Sequence, residues 1–511
     1  MIPAKVLIPS PIKHNEQIIA SLFLLFVLAQ VAFVWWLPWL PTQDGPCHIY
    51  NLAILKDLRN GGGVWGQWFE QHLTVTPNLG FHLVAYPLLS LLSPESAERA
   101  FITIYIVLFS VSIPLSLKLL KLRYFPWSFL VVPIIWSYSL AMGFYSFIIA
   151  LPILIISMAL TIRLRASGLF TRFIIITAAS AILFVCHIIP FACFALFILI
   201  SLLVEKGGSW GNRFLAGIML LTPSAGALGW HLAVSDSKRI EAPGFLERFP
   251  TLATDILTCS TFFLSPIQAV SGSAIAILLY TLIRERPVSD YTDYVSKLFG
   301  SYAVAITLLT LLAPPSLGGG GFLNPRLPTI LLMTLIPLFA AGHDRYPVRL
   351  KSAVIPVVIT MLACNCAAFL KMSSLVGEFM AAARLPMKAG TVVMPYRVYG
   401  VPGSRVDVLA HAISHYALRE RLINAGNYQM QFSYFPVRYR PELYAMMPSL
   451  NQMVHAKETI DFDQFTSIGY IFAWDAKLSP YRLGNFRQVY TDKRLCIWER
   501  CSTVTSHQQT P

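Results

Sequence analysis

From Gln17 to Leu40 the chain runs almost without a break through aliphatic and aromatic residues, closing on Trp35, Trp36 and Trp39. Similar runs recur as far as residue 371, separated by short polar stretches. A helix needs roughly 20 apolar residues to cross about 30 Å of hydrocarbon. The pattern therefore predicts transmembrane helices near 17–40, 100–117, 125–141, 143–162, 171–187, 188–204, 214–233, 269–283, 298–314, 327–342 and 352–371, about eleven in all. The 171–204 stretch is too long for one untilted crossing and divides at Cys186-His187, beside Pro190. The first run lacks an A-x-A site, so it is expected to persist as a permanent helix.

After Leu385 the period changes. "GTVVMPYRVYG" reads as a strand and turn, and the residues up to Gly426 as an amphipathic helix. "TSIGYIFAWDA" and "FRQVYTDKRLCIWERC" read as strands, the second folded at Thr491-Asp492-Lys493. The expected fold is thus an all-α polytopic membrane domain followed by a small α/β extracytoplasmic domain. Its expected divisions are 1–16 (cytoplasmic N-terminus), 17–371 (transmembrane, with outer loop 41–99), 372–385 (linker), 386–505 (α/β domain) and 506–511 (tail).

Composition agrees with the pattern: 56% of the 511 residues are hydrophobic and 13% charged, where a soluble domain carries about 25% charged. The net charge of +14 suggests a nucleic-acid partner until its distribution is read. Sixteen basic residues fall on one side of the membrane: Lys5, Lys13, Lys118, Lys121, Arg123, Arg163, Arg165, Arg172, Lys206, Arg213, Arg284, Arg286, Lys297, Arg345, Arg349 and Lys351. The opposite loops, 41–99 and 234–268, hold six basic against nine acidic residues. The asymmetry orients the chain, with the N-terminus inside and both loops and the C-terminal domain outside. It also excludes nucleic acid as the partner. The eight cysteines show no metal-cluster or disulfide spacing, although Cys496 and Cys501 lie where they could pair.

The odd polar residues gather on the outer face. Asp44 and His48 follow the first span, Gly143 and Tyr145 lie at the turn between the third and fourth, and His187 at that between the fifth and sixth. Arg326, after the glycine run Gly318–Gly321 and Asn324-Pro325, opens the tenth. Polar groups at membrane depth are costly and are candidates for function. Each also has a plainer reading. Asp44 before Gly45-Pro46 suits a helix N-cap, His187 a packed histidine, and Arg326 a side chain snorkelling to headgroups. Asp44 and His48, four apart, share a helix face and supply two metal ligands, too few for a site. Trp65, Trp68 and Phe69 have the spacing of a helix lying in the interface. Asp407, His411 and His415, four apart along one helix, could bind a metal, but they span too much axis for tetrahedral geometry and read better as a solvated face.

Taken together, these features resemble one family. The first span leads to an outer loop with an early carboxylate. Then come Pro77-Asn78…His82…Leu88-Leu89…Leu91-Leu92, and Pro94-Glu95-Ser96-Ala97-Glu98-Arg99 entering span two. A late outer-face arginine and an outer α/β domain complete the order. This resembles the GT-C superfamily of integral membrane glycosyltransferases, which use polyprenyl-phosphate-linked sugars. The resemblance implies Asp44 as general base, with His48 orienting it or binding the acceptor. Arg326 and His187 would bind the donor phosphate, and His82, Tyr145 and Asn324 would line the acceptor or substrate. The partners implied are a polyprenyl-phosphate-linked sugar, a glycan, lipid or protein acceptor and the bilayer; the implied location is a bacterial inner (plasma) membrane. Several GT-C enzymes carry paired acids in this loop. Here Gly45 follows Asp44 and the next acid is Asp57, which favours a single-carboxylate mechanism with no cofactor and no required metal. The rival readings are a transporter or flippase of a lipid-linked glycan, a non-catalytic subunit of a cell-envelope polysaccharide assembly system, and an O-antigen-type ligase, for which the late outer loop 315–326 is short.

Overall fold

A computed structural model describes residues 14–73, 76–205, 210–234, 290–314, 323–346, 348–397, 403–432, 435–444, 446–447, 462, 465–475 and 484–501. The expected span 269–283, the outer loop 234–268 beyond its first residue, the glycine run Gly318–Gly321 and the tail 506–511 lie outside them. Among the described residues, eight helices are long and apolar enough to cross a membrane. They lie within α1 (His14–Trp36), α4 (Pro94–Leu119), α7 (Tyr145–Arg163, its apolar stretch running to Ala166), α8 (Leu169–Cys186), α10 (Trp210–Val234), α11 (Asp290–Leu312), α12 (Leu323–Ala341) and α13 (Val348–Phe379, its apolar stretch running to Ala382). A shorter apolar helix, α9 (Ile188–Val204), follows His187.

The division at Cys186-His187 is present. His187 is extended, at φ −169° and ψ 135°, and its Nδ1 accepts the Ile189 N–H at 3.1 Å, capping α9. The expected span 125–141 is not one helix. It forms a 3₁₀ turn (Trp127–Leu130), then α5 (Val131–Ile135) and α6 (Tyr138–Ala141), broken at the extended Ser137. Freed carbonyls at its end are taken up by the loop after α1: Gln43 N–H donates to Ala141 O at 2.9 Å and Asp44 N–H to Met142 O at 3.0 Å. Non-helical backbone inside a membrane domain is tolerated only where protein or a water-filled cavity satisfies it.

Loop 41–93 is structured. It holds α2 (Gly45–Arg59), strand β1 (Phe69–Gln71) and α3 (Gly80–Leu88), and Ser93 caps α4 by accepting the Ser96 N–H at 3.3 Å. Arg99 closes the end of α1, donating to the carbonyls of Val34, Trp35 and Pro38 at 2.9–3.2 Å. The spacing of Trp65, Trp68 and Phe69 does not make an interfacial helix. One 3₁₀ turn gives way to β1, Trp65 is buried with its indole donating to Leu422 O, and Phe69 stacks on Tyr439 at 5.4 Å. The apolar faces of Trp65 and Phe69 are taken up by contact with the C-terminal unit.

That unit contains β2 (Val392–Arg397), α14 (Ile413–Glu420), β3 (Ile423–Asn424), β4 (Val437–Tyr439), β5 (Ile468–Trp474), β6 (Phe486–Thr491) and β7 (Leu495–Arg500). Five strands form one mixed sheet in the order β3-β2-β5-β7-β6, parallel in its first half and closed by the β6–β7 hairpin at the expected turn. The fourth strand, β4, instead pairs with β1 of the first loop. Residues 372–379, expected as linker, extend α13, because Val376 and Phe379 are buried and Phe379 packs on Trp474 at 5.5 Å. Cys496 and Cys501 are both free. The first loop and the α/β unit therefore share one core on one side of the helices. Tyr50 Oη donates to Leu422 O at 2.6 Å, Asn51 pairs with Gln429 and Asn427, and Asp57 meets Arg421 at 2.5 Å.

Candidate functional site

Asp44 lies at the seam between the helices and the α/β unit. It precedes α2 and occupies the N-cap position, yet its side chain makes no capping hydrogen bond. Its carboxylate points elsewhere. Tyr428 Oη donates to Oδ2 at 3.0 Å, Gln43 Nε2 approaches Oδ1 at 3.5 Å, and His411 Nε2 lies 3.6 Å from Oδ1. The residue is 5% exposed. Burial raises its pKa to about 6, against the opposing pull of the Tyr428 and Gln43 hydrogen bonds and the charge of Arg326. A carboxyl that titrates near neutrality and is not used as a cap is suited to general-base work.

Two glycines let the chain pass here. Gly143, at φ +77°, brings the α6–α7 turn against the Asp44–Gly45 backbone, where a Cβ would sit 2.7 Å from Gly45 N. A Cβ on Gly45 would collide with Thr42 Oγ1, Glu98 Oε1 and Tyr145 Oη. Those three form a buried polar cluster, with Tyr145 Oη donating to Glu98 at 2.5 Å and 2.9 Å from Thr42 Oγ1. Gly45→Ala is expected to destabilise by about 1–3 kcal/mol, the usual range for overpacking. The measurement is the detergent-solubilised protein's unfolding midpoint by tryptophan fluorescence, and an unchanged midpoint would contradict this packing.

His48, one turn along α2, is hydrogen-bonded to the Gly143 backbone and set among Phe81, Tyr145 and Phe435 at 5.5–6.1 Å; its Nδ1 is buried without a partner. Among the described residues, its side chain makes no hydrogen bond to the Asp44 carboxylate. His82 on α3 is 6% exposed, and both its ring nitrogens lack partners. Burial first, then the neighbouring charges, lowers the pKa of His48 to about 3, and burial alone lowers that of His82 to about 4. Both are neutral imidazoles that can donate to or accept from a hydroxyl. The start of α3 is tied to α7 through Ser146, which donates to Asn78 O and accepts from Phe81 N–H, and to Val185 O by Leu79 N–H.

Arg326 lies in the first turn of α12. Its guanidinium lies over the Phe144 ring at 3.9 Å and 6.0 Å from that of Phe147, and its charge reaches Asp44, His48 and His187. His187 packs against Phe147 at 5.5 Å. Asn324 is engaged structurally, its amide donating to Thr310 O and Ala313 O at 2.8 and 3.0 Å and so closing α11.

The solvated-face expectation for Asp407, His411 and His415 does not hold. His411 and His415 are 6% and 5% exposed, and only His415 lies on α14. Asp407 pairs with Arg397 at 2.7 and 2.9 Å, while its N–H donates to Gln43 Oε1 at 3.0 Å. Two residues at the site, Glu98 and Tyr428, were given no role from the sequence, and His411 only that of a helix face. Among the described residues, no three His, Cys, Asp or Glu side chains gather as a metal-holding group.

No family model and no curated protein matches the chain. Its structural neighbours include two cryo-EM structures of the arabinofuranosyltransferase AftD from Mycobacteria, one of them a mutant. They align at TM-scores of 0.44 and 0.45 and 13% identity over 94% of this chain. The alignments cover 40% and 42% of those longer chains, so this chain spans about two fifths of their length.

Proposed function

We propose that this chain is a membrane glycosyltransferase that moves a sugar from a polyprenyl-phosphate donor to a hydroxyl of a glycan, lipid or protein acceptor, on the face that carries the α/β unit. The single observation behind this reading is Asp44. It is a buried carboxyl free of capping duty, held by Tyr428 and Gln43, with its pKa raised by burial to about 6 against the nearby charge of Arg326.

The reaction is displacement at the anomeric carbon. The acceptor oxygen forms the new bond to carbon as its proton passes to Asp44, and the bond from that carbon to the phosphate oxygen breaks. The leaving polyprenyl phosphate gains one negative charge, which Arg326 is placed to stabilise through its planar donor fork. A phosphate needs no strong acid to leave, whereas a hydroxyl needs a base to attack, so the two charged residues divide the work. The neutral His48 and His82 offer buried nitrogens to sugar or acceptor hydroxyls, and His187 extends the donor side. Tyr145, held by Glu98, shapes the wall behind Gly45. No cofactor enters this scheme.

The test is native mass spectrometry of the purified protein, wild type against Arg326→Ala. A co-purifying polyprenyl phosphate, or its sugar conjugate, lost in the variant supports the donor site and names the sugar if it is still attached. Equal retention of such a lipid in both samples would remove Arg326 from that role. A transporter of lipid-linked glycans would also hold such a lipid, but would turn over no acceptor and would tolerate Asp44→Asn.

A further inference from the structure

We propose that the α/β unit completes the site: Tyr428 and His411 are positioning residues that hold the Asp44 carboxylate in its working orientation, together with Gln43, which the unit's own backbone fixes. The proposal rests on Asp44 being the base. It begins from the way each carboxylate oxygen is held. Oδ2 accepts from Tyr428 at 3.0 Å, and Oδ1 faces His411 at 3.6 Å and the Gln43 amide at 3.5 Å. Gln43 cannot turn away freely, because its Oε1 accepts the Asp407 N–H, and Asp407 is in turn clamped by Arg397 at the end of β2. The rings of His411 and Tyr428 pack at 5.1 Å, so the two act as one wall. All of these contacts except Gln43 itself come from residues more than 350 positions away, beyond the last membrane helix.

The groups that face Asp44 from its other neighbours are Cys47 on α2, Tyr145 on α7 and Arg326 on α12. Among the described residues, none of them donates a hydrogen bond to its carboxylate. The orientation of the base therefore depends on docking of the α/β unit. That docking is made by buried polar pairs, Cys47 with Ser414 and Asn51 with Asn427 and Gln429, which fix register as well as contact.

Infrared difference titration of the full-length protein in detergent, with Asp44→Asn as the blank, reads the protonated carboxyl of Asp44 directly and needs no substrate. The wild-type band is expected to titrate near pH 6. A hydrogen bond to a charged group favours the charged form, so its loss in Tyr428→Phe should move the midpoint up by roughly one pH unit or more. His411→Asn should move it the same way by less, and it carries the test if Tyr428→Phe does not fold. Midpoints unchanged in both folded variants would overturn the proposal. In a transfer assay Tyr428→Phe should lower kcat with KM kept and shift the acid limb of the pH profile upward; an unshifted limb with a lower kcat would also count against it. If Asp44→Asn leaves transfer intact while Tyr428→Phe still moves the midpoint, the proposed function falls and the positioning contact stands.

Discussion

Asp44→Asn is expected to reduce glycosyl transfer by about 10²–10⁴-fold, the usual worth of a general base, while leaving the protein at least as stable near pH 8. The two halves of that result follow from one environment. Asn has nearly the same shape, and its amide oxygen still accepts from Tyr428, but it takes no proton from a hydroxyl. The folded-state pKa of Asp44 is raised from 3.8 to about 6. A raised carboxyl pKa means that the stability it contributes is complete below pH 3.8 and is lost as the pH climbs through 6. Above that, wild type carries a buried charge whose cost, from a shift of about two units, is on the order of 3 kcal/mol at most; the variant carries none. Unfolding midpoints taken at pH 5 and pH 8 should therefore diverge in the variant's favour at the higher pH. Wild-type transfer should rise through pH 6 and level off, and the residual activity of the variant should lack that limb. A variant that unfolds while each folded molecule keeps its activity would return Asp44 to a purely structural role.

How much of this was legible in the sequence depends on how local the cause was. Apolar runs announce membrane helices because lipid contact needs nothing else, so most spans and the break before Ile188 could be read directly. The 125–141 segment is as apolar as the others. No hydropathy pattern contains its break at Ser137, nor the N–H groups of Gln43 and Asp44 that satisfy the carbonyls of Ala141 and Met142 at its end. The hairpin at Thr491-Asp492-Lys493 was visible from turn chemistry, whereas the pairing of β1 with β4 joins residues nearly 370 positions apart and was not. Trp65 and Phe69 misled for the same reason: helical spacing says that a face is buried, not what buries it. At the site, Asp44, His48, His82, His187 and Arg326 stood out because charge and imidazole are rare beside apolar runs. Tyr428 carried no such signal in a chain with 21 tyrosines, and His411 was visible only as part of a spacing that fitted a solvated helix better.

Arg326→Ala is expected to lower kcat/KM for transfer by about 10²–10³-fold, with much of the loss in kcat. Removing one preorganised donor from a site of developing charge typically has that effect, and the charge on the leaving phosphate grows as its bond to the sugar breaks. An interaction that strengthens along this path acts on the transition state more than on binding. Arg326→Lys separates charge from shape. A lysine keeps the positive field at the phosphate, but it loses the planar fork and the flat stacking over Phe144. It should recover only part of the loss. Steady-state kinetics of the three proteins, with folding checked by unfolding midpoint, make the comparison. If Arg326 served only to pack on Phe144 and Phe147, its removal would instead cost stability of about 0.5–2 kcal/mol, the range of cation–π contacts, and leave the turnover of the folded fraction untouched. The two accounts therefore move different observables: one lowers turnover at constant stability, the other lowers stability at constant turnover.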